Sequence, residues 1–144
     1  MRNLSNFAEQ LRSVTEEKLI SIRGLSNVSK ISMSTLNKYL RGFSQPSLES
    51  LIKIADCLCC SLELLFDTER FEESRVFSKA DFPDSLKRIL SRHGLTRYRL
   101  QKGTGIHEQS IDDWWTGKRT PSLPNLFRLA DYLDCTLDEL VGRE

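Results

Sequence analysis

Apolar residues recur along the chain at helical spacing, in short runs punctuated by Gly, Pro, Ser and Thr. Phe7, Leu11 and Val14 fall at i, i+4, i+7 and predict a first helix over 5–17, with Ser5 as its N-cap. Ile22, Leu25 and Val28 mark one face of a second helix over 19–29, which Gly24 weakens. A third begins after Ile31. Ser32 caps it, Leu36, Tyr39 and Leu40 form its apolar side, and Gly42 supplies the left-handed residue that stops it. A fourth spans 47–58, with Leu48, Leu51, Ile54, Ala55 and Leu58 inward, and a short fifth, capped by Ser61, spans 61–66.

The same pattern then returns. Shifted by 75 positions without a gap, the chain matches itself at Ile31/Ile106, Gly42/Gly117, Pro46/Pro121, Ser47/Ser122, Leu48/Leu123 and Leu51/Leu126. The match continues at Ala55/Ala130, Asp56/Asp131, Leu58/Leu133, Cys60/Cys135, Leu62/Leu137 and Leu65/Leu140. Tyr39/Trp114, Lys53/Arg128 and Glu63/Asp138 keep their type. This is an internal duplication. The second copy predicts helices over 84–93, from Thr96 to Gly105, over 107–116 and 123–133, and a last turn capped by Thr136. The expected architecture is all-α, with two tandem five-helix domains over 1–66 and 82–144. The linker over 67–81 has a helix-compatible composition, and its Phe71 and Phe77 are candidates to dock on a neighbouring domain.

Composition narrows the picture a little. The 144 residues are 39% hydrophobic and 28% charged, as in an ordinary globular protein, and two domains of this size each have a modest core. No apolar run is long enough for a membrane span or resembles a secretory signal, so the expected location is cytoplasmic. The net charge of +1 gives no global basicity. Cys60 and Cys135, at equivalent positions, read as small core hydrophobes, and the 57–60 cluster lacks partners at zinc-ligand spacing. No metal and no cofactor are expected. His93 and His107 stand apart, with no nucleophile motif or phosphate loop, so the chain does not read as an enzyme.

The order of helix, helix, tight turn, helix, Gly-x-x-x-Pro-Ser-Leu, helix and a short Ser/Thr-Leu-Asp/Glu turn occurs twice. It resembles the lambda-repressor-like helix-turn-helix fold, and within it the Cro/cI-type (XRE) transcription regulators. Leu25, Ile31, Ser32, Thr35, Leu36, Gly42, Pro46, Ile54, Ala55 and Leu62 carry the resemblance in the first copy. Leu100, Gly105, Ile106, Ser110, Ile111, Trp114, Gly117, Pro121, Leu129, Ala130 and Leu137 carry it in the second. Two departures stand out. Ser26 and Gln101 occupy a place where the family has a small Ala, and Ile22 and Arg97 replace a Gln that touches phosphate.

The resemblance implies that each third helix enters the major groove of double-stranded DNA. In the first copy the outward residues are Ser32, Met33, Ser34, Thr35, Asn37, Lys38 and Arg41. Asn pairs bidentately with adenine, hydroxyls serve bases or phosphates, Met and Thr touch thymine methyls, and Lys38 and Arg41 neutralise phosphates. The second copy presents His107, Glu108, Gln109, Ser110, Asp112 and Asp113, a face with three acids. Its flanks are basic: 87–102 holds six cations, Arg97 among them, with no acid, and Lys118 and Arg119 follow the helix. Three readings stay open. The flanks grip phosphate while Gln109 and an acid read bases; or the unit has become a protein-binding or self-associating module, as in a homodimer; or its acids and bases pair within the domain. Trp114 falls at a core position and Trp115 nearer solvent. The expectation is a transcription regulator, in repressor style, led by the first third helix; the alternative is an antitoxin-like or inhibitory interaction module.

Overall fold

The computed structural model describes residues 2–70 and 77–144, which form two helical units, 1–77 and 78–144. Nine α-helices and two 3₁₀ turns account for the regular structure among the described residues, and the only ladder contact there is an isolated antiparallel bridge, Lys79 to Arg143. The fold is all-α.

In the first unit α1 spans Phe7–Glu17, α2 Ile22–Ser29, α3 Met33–Leu40 and α4 Leu48–Leu58. Phe7, Leu11, Leu25, Leu36, Leu51, Ile54, Leu62 and Leu65 close its core, and the Phe7 ring stacks on Phe66 and meets Tyr39 edge-on. Several local expectations need correction. Ser5 is not the cap of α1; it sits inside a 3₁₀ turn, Leu4–Asn6, whose own cap is Asn3, with Oδ1 accepting from the Ser5 N–H at 2.9 Å. Helix α2 starts at Ile22, because Ser21 caps it and Leu19 turns the chain with φ 56°. Val28 faces water while Ser29 is buried, so the apolar spacing at that position misleads. The fifth element, expected as a helix over 61–66, is a 3₁₀ turn, Glu63–Leu65.

In the second unit α5 spans Phe82–Arg92, α6 Arg97–Thr104, α7 Glu108–Thr116, α8 Leu123–Leu133 and α9 Leu137–Val141. Helix α5 begins two residues earlier than the spacing suggests, since Pro83 is suited to a first turn. Residues 78–80 are part of this unit: Ser78 and Ala80 donate to the carbonyls of Glu144 and Gly142. Phe77 is buried, and Phe71 lies outside the described residues. Gly142 is required there. Its φ is 86°, and a Cβ would fall 2.3 Å from the Ala80 carbonyl oxygen.

Each unit buries an acid in its last turn and matches it with an arginine from an opposite direction. Glu63 receives Arg2, from upstream, at 2.8 Å, and Asp138 receives Arg143, from downstream, at 2.5 Å. Cys60 is buried as expected, while Cys135 is only partly covered.

Candidate nucleic-acid interface

The turn between the second and third helices is built alike in both units. Lys30 and Gly105 take the left-handed conformation after α2 and α6. The hydroxyls of Ser29 and Thr104 then accept the N–H of Ile31 and Ile106, both at 3.2 Å. Ser26 is more than tolerated at its position: its hydroxyl donates to the Ile31 carbonyl at 2.6 Å. Those bonds fix the angle at which the third helix leaves the turn.

Helix α3 is capped by Ser32, whose Oγ accepts from the Thr35 N–H at 3.1 Å and lies 2.9 Å from the Thr35 hydroxyl. Leu36 and Tyr39 anchor its inner face. Met33, Ser34, Asn37, Lys38 and Arg41 are all exposed, whereas Thr35 is half-buried. The side chains of Ser34, Asn37, Lys38 and Arg41 make no hydrogen bond or ion pair among the described residues. Two neighbours escaped the sequence reading. Arg12 on α1 donates to the Leu40 carbonyl at 2.9 Å and so holds the end of α3, and Phe43, just beyond it, is 75% exposed. The helical pattern could place Arg12 outside the core, but nothing local to it points to Leu40.

The equivalent face of α7 is organised differently. His107 lies just outside the helix as its cap, with Nδ1 accepting from the Gln109 N–H at 3.1 Å. Asp112 pairs with Arg97 at 3.1 Å. Asp113, expected outside, is 7% exposed. It accepts from Gln109 Nε2 at 3.0 Å, and Arg119 Nε lies 3.7 Å from its other oxygen. Helical rotation explains the correction: Asp113 is adjacent to the buried Trp114 and the loop from Gly117 folds back over it, the Arg119 N–H reaching its carbonyl. Trp115 is half-buried beneath two cations, Lys87 Nζ at 5.3 Å and Arg97 Cζ at 4.9 Å from its ring centre. Glu108 and Lys118 stay exposed and Ser110 is half-buried. Thus Arg97, Gln109, Arg119 and two of the three acids are held within their own domain. On the flanks, Arg88 meets Glu144 at 3.4 Å and Lys102 sits over Tyr98, while Arg92 and Arg99 are exposed.

Two family models match this arrangement, one on each unit. Residues 85–144 match the Cro/C1-type HTH DNA-binding domain, and residues 11–65 match a family described as helix-turn-helix. The chain is a tandem pair of Cro/C1-type helix-turn-helix domains. The model matched by the second unit is described as DNA-binding, and that matched by the first as helix-turn-helix alone. A solved transcriptional regulator from Listeria innocua aligns at 25% identity with 46% of this chain and 60% of its own, at a TM-score of 0.39. The chain therefore spans less than two thirds of that regulator. No curated protein matches it. Among the described residues no helix is long and apolar enough to cross a membrane, and no group of three or more His, Cys, Asp or Glu is placed to hold a metal.

Proposed function

We propose that this tandem helix-turn-helix protein is a sequence-specific, cytoplasmic repressor whose base readout lies in α3 of the first unit. One observation carries the reading. The outward side chains of α3 stand exposed and uncommitted, whereas those at matching positions of α7 are largely consumed by bonds within their own domain. Ser34, Asn37 and Met33 are the candidate base readers, with Lys38 and Arg41 on phosphates. Ser32 and Thr35 satisfy each other in the unbound protein, so they act first as a cap and reach DNA only by turning their hydroxyls outward.

The second unit adds affinity rather than readout. Its exposed Arg92, Arg99 and Lys118 meet phosphates, and tethering to the first unit raises their effective concentration at the site. With α7 so internally paired, His107, Gln109 and Ser110 contribute at most secondary contacts. Self-association through this unit, in a homodimer, is the competing role for the same surface.

The test is selection of targets from a randomised duplex pool with the intact chain and with Lys38→Glu. A motif enriched by the first and lost by the second supports readout by α3. No enrichment at low salt, with the chain folded, replaces this reading by that of an antitoxin-like or inhibitory interaction module.

A further inference from the structure

The Arg97–Asp112 pair is not part of the scaffold common to the two units. At the matching positions the first unit has Ile22 and Asn37, neither of them charged. The arginine and the carboxylate that occupies it are therefore found together in one copy and are both missing from the other. Both side chains are about half exposed, 48% for Arg97 and 43% for Asp112. A pair that open contributes little to folding, so stability does not account for it. Its location does more. Arg97 opens α6, Asp112 lies on the outward side of α7, and the two meet at a cleft of about 350 Å³ lined also by Thr96, Tyr98, Gln101 and Glu108. The guanidinium rests over Trp115, which orients its fork before any ligand arrives.

We propose that Asp112 is the residue that sets the second unit's affinity for DNA, by holding the Arg97 fork in the place a backbone phosphate would take. This rests on the reading of the chain as a DNA-binding regulator. Asp112 Oδ1 accepts from Arg97 Nη1 at 3.1 Å, and a phosphate oxygen would compete for that same N–H donor. While Asp112 is present, a phosphate must displace it and then lie in a cleft lined by two acids, Asp112 and Glu108. Asn at 112, the residue the first unit carries at 37, keeps the size of the side chain, removes its charge and leaves Arg97 poised over Trp115. The second unit is thereby a weak contributor by one carboxylate, not by its fold.

The experiment measures binding of the intact chain to a short random-sequence duplex across a salt series, for wild type and Asp112→Asn. Both are also made in a Lys38→Glu background, where binding gained comes from the second unit. Asp112→Asn should tighten binding about fivefold at low salt and steepen the log–log salt dependence by roughly one unit, the signature of one added phosphate contact. Adding Arg97→Gln should return both to the parental values. The combined fluorescence of Trp114 and Trp115 should respond to duplex in Asp112→Asn more than in wild type, through the Trp115 that Arg97 covers. An unchanged affinity and slope in both backgrounds overturns the proposal, as does a gain that survives Arg97→Gln, since charge removal alone then explains it. Failure of the DNA-binding reading is seen separately, as a folded wild-type chain that enriches no motif and binds no duplex at low salt, with Asp112→Asn equally silent.

Discussion

The third helices of the two units share their cap position, inner anchors and preceding turn, and differ on the face turned away from the core. At the third helix's sixth residue Lys38 is exposed, while Asp113 is 7% exposed and bonded to Gln109 and Arg119. The core positions that define the fold therefore tolerate two unrelated outer surfaces. After a duplication, the frame and the outward face of the third helix vary independently, and what a unit can bind follows from its face.

The largest effect should come from the buried acid in the last turn of the second unit. Asp138→Ala removes the carboxylate facing a guanidinium that is 2% exposed, and should destabilise the second unit by about 3–5 kcal/mol. Glu63→Ala should cost the first unit less, about 1–2 kcal/mol, because the Arg2 side chain is 16% exposed and already partly reaches water. Both tryptophans lie in the second unit, so their fluorescence in a denaturant titration follows that unit alone, and amide hydrogen exchange along α4 follows the first. Equal losses from the two substitutions would mean the arginines are equivalent after all. Next in size is Gly142→Ala, at about 3 kcal/mol. The left-handed φ and the contact of a new Cβ with the Ala80 backbone act together there, and neither can be relieved by moving a side chain.

A smaller contrast probes the outward faces of α3 and α7 directly. Asp113→Ala should cost about 1 kcal/mol, since it removes the hydrogen bond from the Gln109 amide and loosens the loop carrying Arg119. Lys38→Ala at the equivalent position should leave stability within about 0.5 kcal/mol while weakening DNA binding. A stability loss from Lys38→Ala would show that α3 is no more available to DNA than α7.

What the sequence could reveal follows from how local each signal is. The duplication, most core positions and the caps Ser32, Thr96 and Thr136 rest on spacing within one or two turns of helix, and these appear in the structure. Val28 misled because an apolar residue at helical spacing can still face water. The start of α2 misled because Leu19 adopts a left-handed turn that few leucines occupy. On the site, the exposed face of α3 was legible from its helical rotation. The inward turn of Asp113, the Arg12 bond to Leu40 and the seat of Arg97 over Trp115 were not, because each depends on segments that meet only after folding. Sequence alone left open whether the acids of the second unit paired internally, and distances of 3.0–3.1 Å to Gln109 and Arg97 were needed to decide it.

The smallest expected effect concerns the turn both units use to launch their third helix. The left-handed residue is Lys30 in the first unit and Gly105 in the second, at φ of 66° and 72°. A side chain there is strained by roughly 1 kcal/mol, and the Lys30 side chain makes no hydrogen bond or ion pair among the described residues to offset it. Lys30→Gly should therefore stabilise the first unit by about 0.5–1 kcal/mol, less whatever glycine loses in entropy on folding. The reciprocal Gly105→Lys should cost the second unit a similar amount. The first unit has no tryptophan, so amide hydrogen exchange along α3 and α4 is the suitable measure there, with Trp fluorescence for the second. Opposite shifts of like size would show that the turn is the same part in both copies. If Lys30→Gly destabilised the first unit, the lysine would be holding something other than the turn, and the two units would differ in their frame as well as in their faces.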